Sequence, residues 1–193
     1  MFKGIILDMD GTITQPVIDF QQLRDELGIC QSGDVLEIIK DLPEEHIEHI
    51  NRTIEKYEQY AIDNMSLQDG FAEFYNYCNK ESIQLALLTR NRMRNVDALC
   101  LKYNLHFDHI LTRDFEFVKP EPEPALHILS MWKYLPDECI FVGDYIHDIN
   151  CGKSAGMKTC FMRNDGYEDF SGFADYSVEN FFQLLDIILP KII

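Results

Sequence analysis

Two aspartates, Asp8 and Asp10, follow directly on a short apolar run near the start of the chain, in MFKGIILDMDGTIT. The apolar run 4–7 predicts a buried strand. A pair of carboxylates at the end of such a strand costs free energy unless cations or hydrogen-bond donors compensate the charge. Gly11 comes next and lets the backbone turn closely around a bound group, so the segment predicts a polar site.

Other chemically active residues lie beside other apolar runs. Thr89 follows the run 82–88, and Asp144 and Asp148 follow a run that ends at Val142. Lys119 lies in VKPEPEP, just before prolines that favour the first turn of a helix. Because the carboxyl ends of parallel strands meet at one edge of a sheet, we expect Thr89 and the aspartates to line one crevice. Lys119 would reach it from a connecting loop.

The elements that must position these residues alternate along the chain. Short apolar runs predict strands at 4–7, 82–88, 109–111, 139–142 and 159–162. Helical patterns cover 70–79, 92–103, 122–132, 148–155 and 180–189. Continuous apolar strands that alternate with helices are typical of a parallel sheet covered on both faces. The predicted fold class is therefore α/β, with a Rossmann-like parallel sheet flanked by helices.

The segment 17–66 breaks this alternation, because it contains no convincing strand. Helical patterns cover 20–29, 33–42 and 44–62, and the whole segment carries twelve acidic and four basic residues. We interpret it as an inserted all-helical cap. The α/β core would then consist of residues 1–16 and 67–193.

Composition excludes some classes of partner. The net charge of −16 argues against binding to nucleic acid and to anionic membranes. No run approaches the roughly 18 apolar residues of a membrane helix, and no signal peptide precedes the first strand. The six cysteines include no CxxC pair, which favours reduced thiols and a cytoplasmic location. The sequence leaves the oligomeric state open.

Four pieces of this sequence together resemble the haloacid dehalogenase-like superfamily of aspartate-nucleophile phosphohydrolases. They are DMDGT, LLTRN, the lysine of VKPEPEP, and GDYIHD, in that order and at the usual spacing of the family. The helical insertion after the first strand resembles the cap of the phosphoglycolate phosphatase and β-phosphoglucomutase branch. The resemblance implies a Mg²⁺-dependent phosphatase that acts on a small phosphorylated metabolite.

The resemblance also implies a role for each aspartate. Asp8 would be the nucleophile that forms an aspartyl-phosphate. The Mg²⁺ ligands would be the Asp8 carboxylate, the Asp10 backbone carbonyl and the Asp144 carboxylate, with Asp148 binding the metal directly or through water. Asp10 would also act as general acid and base. Because a halide leaving group needs no proton, an acid at this position favours phosphoryl transfer over dehalogenation.

Further residues would bind the phosphorylated substrate. Lys119 would stabilise both the carboxylate cluster and the transition state, and it joins Asp8, Asp10 and Thr89 as a catalytic residue. The predicted substrate-binding residues are Gly11, Thr12, Thr89, Arg90, Asn91 and Lys119.

Two other functions fit the same residues. A phosphomutase of the β-phosphoglucomutase type would use the same aspartyl-phosphate but return the phosphoryl group to a sugar. A non-catalytic binding protein could also retain this fold. In addition, Asp144 and Asp148 could act as a helix cap and a first-turn acid, which is compatible with metal binding.

Overall fold

The computed structural model describes residues 2–30, 35–38 and 47–189. The chain forms two compact units, one of Met1–Pro16 with Ser66–Ile193 and the other of Val17–Met65. Among the described residues, no helix has both the length and the apolar character needed to cross a membrane. That the smaller unit serves as a cap stays a prediction.

A six-stranded parallel sheet forms the centre of the larger unit, with the strand order β3-β2-β1-β4-β5-β6. The strands are β1 (Gly4–Leu7), β2 (Gln84–Leu88), β3 (His109–Leu111), β4 (Cys139–Gly143), β5 (Lys158–Met162) and β6 (Tyr176–Val178). The predicted α/β class with a parallel sheet is confirmed. The sheet order reverses between β1 and β4, where ligand crevices of such folds open.

Helices of the smaller unit are α1 (Phe20–Glu26), α2 (Val35–Ile38) and α3 (Ile47–Asn64). Leu23, Ile29, Val35 and Tyr57 form its buried apolar cluster. A pocket of about 460 Å³ lies within this unit. Of the predicted helices 33–42 and 44–62, residues 33, 34, 39–42 and 44–46 lie outside the described residues.

Helices of the larger unit flank the sheet. They are α4 (Phe71–Lys80), α5 (Met93–Tyr103), α6 (Glu123–Trp132), α7 (Ile146–Ser154) and α8 (Phe181–Ile188). Ile6, Ala86 and Phe141 share one face of the sheet, because they are paired in register, and they form a buried cluster with residues of α6 and α7. Phe71 of α4 and Phe181 of α8 pack edge to face, with ring centroids 4.9 Å apart.

Two details of the sheet differ from the sequence prediction. Ser82 has a φ of 56°, a left-handed conformation that does not occur in regular strands, so β2 begins only at Gln84 rather than at residue 82. The sixth strand, β6, was not predicted. Two of its three residues, Tyr176 and Ser177, are exposed, so its sequence has no apolar run.

Candidate active site

Lys119 lies between two carboxylates at the carboxyl edge of the sheet. Its ammonium donates to Asp8 Oδ1 at 2.5 Å and to Asp148 Oδ1 at 2.6 Å. Asp8 follows β1, whereas Asp148 lies in the first turn of α7, where its Oδ2 also accepts from the Tyr145 backbone N–H at 3.0 Å. All three charged groups are buried, with at most 8% of each residue exposed. Lys119 is thus the ionic link between two segments that are distant in sequence.

Asp144 completes a group of three carboxylates. Oxygens of Asp8, Asp144 and Asp148 all lie within 4.8 Å of one another. Asp144 follows β4, the neighbour of β1 in the sheet, so the strand order brings it beside Asp8. Gly11 makes room for it, since a Cβ at Gly11 would lie only 1.9 Å from Asp144 Oδ2.

The electrostatics of this cluster follow from its burial. Loss of hydration is the largest cause that raises the pKa of Asp8, to about 7. The positive charge of Lys119 lowers this pKa, whereas the negative charge of Asp148 raises it. Burial, followed by the charges of Asp8 and Asp148, also raises the pKa of Asp144 well above its usual value. Burial by itself lowers the pKa of Lys119. The negative charges of Asp148 and Asp8 outweigh this effect and raise the pKa above its usual value, so Lys119 stays protonated.

The second aspartate of the first motif is held by Asn91. Asn91 Nδ2 donates to Asp10 Oδ2 at 2.7 Å and also lies 3.2 Å from Thr89 Oγ1. The Asn91 backbone N–H donates to the same Thr89 oxygen at 3.1 Å. Both acceptor positions of the Thr89 hydroxyl are therefore used, and its proton remains available to donate to a ligand. Asn91, predicted to bind substrate, contacts a predicted acid/base residue.

The remaining predicted substrate-binding residues lie on the same loops. Gly11 and Thr12 form the turn after β1, with a φ of 71° at Gly11. The buried hydroxyl of Thr12 has no hydrogen-bond partner among the described residues. Arg90 follows Thr89, and its guanidinium lies 2.9 Å from His147 Nδ1. Because a guanidinium only donates, Nδ1 must accept in this contact.

Two amide side chains that the sequence did not indicate complete the site. Asn164 Nδ2 donates to the Gly11 carbonyl at 2.8 Å and lies 3.4 Å from Asp144 Oδ2. Gln68 Nε2 donates to Asn164 Oδ1 at 2.7 Å and lies 3.2 Å from the Gly11 carbonyl. Asn164 lies two residues beyond β5, so the position of polar residues after predicted strands could have found it. Gln68 precedes a helix, and no such signal marks it.

The donor set fits a hard divalent cation. Carboxylate oxygens are the ligands that Mg²⁺ prefers, and three of them converge here. The single ammonium of Lys119 cannot neutralise three clustered carboxylates, of which Asp8 and Asp148 are buried and Asp144 is half-buried. Loss of hydration therefore raises the pKa of Asp8 and of Asp144. A second cation would relieve that excess charge. Asp8, Asp144 and Asp148 are therefore the residues that could hold Mg²⁺.

Comparison with known proteins gives matches over most of the chain. The sequence model of a family described as haloacid dehalogenase-like hydrolase matches residues 18–162, a range that includes Thr89, Lys119, Asp144 and Asp148 but begins after Asp10. A haloacid dehalogenase-like hydrolase domain-containing protein of Arabidopsis thaliana is 35% identical over 184 residues, which cover 88% of this chain and 75% of the relative. The pyrophosphatase PpaX of Halalkalibacterium halodurans is 30% identical over 172 residues, which cover 84% of this chain and 79% of the relative.

Solved structures share the fold. A predicted phosphoglycolate phosphatase from Haemophilus somnus superposes with a TM-score of 0.77 at 20% identity. The superposition covers 97% of this chain and 98% of the other.

Proposed function

Because the chain belongs to the haloacid dehalogenase-like hydrolases, we propose that it is a Mg²⁺-dependent phosphatase of small phosphorylated metabolites that works through an aspartyl-phosphate on Asp8. It is a phosphoric ester hydrolase, as the family and the phosphatase-named relatives support. One observation carries the finer proposal. Lys119 joins Asp8 to Asp148 in a buried cluster where Asp144 adds a third carboxylate.

The nucleophile would be the free oxygen of Asp8. Lys119 holds Oδ1, and among the described residues Oδ2 accepts no hydrogen bond. Attack by this oxygen on phosphorus forms the Asp8 O–P bond and breaks the bond to the leaving alkoxide. When bound beside Asp8, Mg²⁺ would offset the charge of the phosphoryl group and so reduce its repulsion of the carboxylate.

Asp10 would handle the protons of both steps. In its acid form it gives a proton to the leaving alkoxide, and as a carboxylate it then takes a proton from the water that attacks the aspartyl-phosphate. The second step breaks the Asp8 O–P bond, releases inorganic phosphate and returns both aspartates to their starting state. Asn91 Nδ2 donates to Asp10 Oδ2 at 2.7 Å and the Thr14 hydroxyl donates to Asp10 Oδ1 at 3.4 Å, so hydrogen bonds orient both oxygens of this carboxylate.

Donors of the larger unit would bind the phosphoryl oxygens. The Thr89 hydroxyl has a proton to donate, because both of its acceptor positions are taken by Asn91. Lys119 stays protonated between its two aspartates and provides a fixed positive charge at the reacting centre. Neither group needs to reorganise as negative charge develops.

The substrate would be small. We propose that the helical unit Val17–Met65 acts as a cap that excludes bulk water and bulky phosphoproteins. The pyrophosphatases among the relatives act, by their name, on pyrophosphate, a small phosphorylated compound of the class proposed here.

Release of inorganic phosphate tests the proposal. A panel of sugar phosphates, phosphoglycolate and pyrophosphate is incubated with the protein, with Mg²⁺ or with a chelator. We expect stoichiometric phosphate release that requires Mg²⁺, and none from Asp8→Asn. Absence of release from every substrate, or wild-type rates from Asp8→Asn, would contradict the proposal. A requirement for a bisphosphorylated sugar, with no net release, would indicate a phosphomutase instead.

The matched control replaces an exposed aspartate that does not belong to the carboxylate cluster. Asp97 is exposed on α5, so Asp97→Asn changes the charge by the same amount and should retain wild-type rates. Borohydride reduction during turnover, followed by mass spectrometry, tests the intermediate directly. The modified peptide should contain Asp8, and modification of any other carboxylate would rule out Asp8 as the nucleophile.

A further inference from the structure

Asn164 and Gln68 form a hydrogen-bonded group that joins the Gly11 carbonyl to Asp144. Both side chains donate to the carbonyl of Gly11, at 2.8 Å and 3.2 Å. Gln68 is buried, and Asn164 is half-buried in the loop after β5. Their second contacts run from Gln68 Nε2 to Asn164 Oδ1 at 2.7 Å and from Asn164 Nδ2 towards Asp144 Oδ2 at 3.4 Å.

The orientation of both amides follows from the chemistry of their partners. The Gly11 carbonyl can only accept, so both side chains must present an NH₂ group to it. The remaining hydrogen of Gln68 then points at Asn164, which must turn its oxygen towards it. That leaves the second hydrogen of Asn164 Nδ2 to face Asp144. The set has one arrangement that satisfies all its members, and in it Asp144 always meets a donor.

We propose that Asn164, held by Gln68, is a positioning residue that fixes the Asp144 carboxylate and thereby sets the affinity of the site for its divalent cation. The inference rests on the proposed function in one respect, that Asp144 is a metal ligand. Asn164 ties three segments together, since it joins the turn at Gly11 and the end of β4 to the loop after β5. Without it, the Asp144 carboxylate can rotate away. The free energy needed to order this side chain again would then weaken binding of the cation.

Titration of the protein with Mg²⁺ in the absence of substrate tests this role. We expect Asn164→Ala to raise the dissociation constant for Mg²⁺ by about tenfold, the usual effect of losing a group that orients a metal ligand. The turnover rate at saturating Mg²⁺ should change much less, because Asn164 touches no reacting atom. The exposed Asn76 on α4 provides the matched control, and Asn76→Ala should bind Mg²⁺ like the wild type.

A double-mutant cycle separates positioning from a general loss of structure. Gln68→Ala should weaken Mg²⁺ binding in the wild-type background but add little in the Asn164→Ala background, because it acts through Asn164. Gln68→Ala also provides the test if Asn164→Ala does not fold. Wild-type Mg²⁺ affinity in Asn164→Ala, or independent effects of the two changes, overturns the inference alone. Absence of Mg²⁺ binding by the wild type would overturn the inference and the Mg²⁺ dependence of the proposed function together.

Discussion

Lys119 provides the positive charge that lets Asp8 and Asp148 lie together in the interior. Its side chain is 4% exposed, and those of its partners are 12% and 2% exposed. Breaking such a buried pair leaves an uncompensated charge with no water to solvate it. The same lysine would bind the phosphoryl group, so its structural and catalytic contributions cannot be removed separately.

Replacement of Lys119 by methionine should therefore destabilise the metal-free protein. For Lys119→Met we expect the free energy of unfolding to fall by about 3–5 kcal/mol at neutral pH, because two buried carboxylates lose their shared cation. Urea denaturation in the presence of a chelator measures this change. The exposed Lys153 on α7 is the control, and Lys153→Met should change stability by less than about 0.5 kcal/mol. Equal effects of the two substitutions would show that the Lys119 pairs contribute no net stability.

Asp10 can be separated from the metal cluster by substitution. Asp10→Asn removes the proton donor but keeps the shape of the side chain and the backbone carbonyl. We expect turnover to fall by about 10²–10⁴-fold, the usual contribution of general acid–base catalysis. The shift in melting temperature caused by Mg²⁺ should persist, because Asp8, Asp144 and Asp148 are unchanged. Retention of wild-type turnover would remove Asp10 from the mechanism.

Residue types and their positions after strands point to much of the site from sequence alone. Asp8, Thr89 and Asp144 each follow an apolar run, and the parallel sheet then brings them to one edge. The contacts of Asn91 and Gln68 could not be derived in this way, because an amide can donate to substrate or to a neighbouring carboxylate. Only the positions of its neighbours decide between the two, and those depend on the tertiary fold.

At the level of elements, the turn after β1 depends on a glycine for two separate reasons. Gly11 has a φ of 71°, which costs other residues about 1–2 kcal/mol, and its missing Cβ leaves space for Asp144. Gly28 has nearly the same φ, 70°, but no atom lies within 4 Å of the position where a Cβ would stand. The two glycines therefore share the left-handed backbone conformation and differ in the contact that an added Cβ would make.

Alanine at these two positions should give different results. Gly28→Ala and Gly11→Ala should both lose stability of the order of 1 kcal/mol from the strained φ. Gly11→Ala alone should also lose most of its Mg²⁺ affinity, since the new Cβ would stand 1.9 Å from Asp144 Oδ2 and displace that carboxylate. Thermal unfolding with and without Mg²⁺ measures both effects. Equal Mg²⁺ responses in the two variants would show that Asp144 tolerates the displacement.

The sequence pattern predicted elements well where burial dominates and less well at exposed edges. The strands β1 and β4 are fully buried, and their apolar runs gave the predicted positions to within one residue. β6 is short and two of its three residues are exposed, so Tyr176–Val178 have no pattern that distinguishes a strand from a loop. It exists because β5 offers an open edge for pairing, which is a property of the assembled sheet rather than of the segment.

At the level of the whole molecule, the buried cluster links stability to pH and to the metal. The folded state binds a proton at Asp8 up to a pH of about 7, whereas an unfolded aspartate loses it near pH 3.9. In the metal-free protein, the free energy of unfolding therefore falls as the pH rises through this window. Asp144, whose pKa is also raised, acts in the same direction.

Mg²⁺ should reverse this loss, and more strongly at high pH. Below a pH of about 7 the cation must displace a proton from Asp8, and it must displace a second one wherever the raised pKa of Asp144 keeps that carboxyl protonated. Its affinity should therefore fall by roughly tenfold per pH unit for each proton displaced. We expect Mg²⁺ to raise the melting temperature more at about pH 8 than at about pH 5.5, since binding stabilises the folded state in proportion to the logarithm of its affinity. Potassium chloride at matched ionic strength controls for screening. An equal shift at both pH values would mean that Mg²⁺ binds away from these carboxylates, because surface carboxylates are already ionised at both.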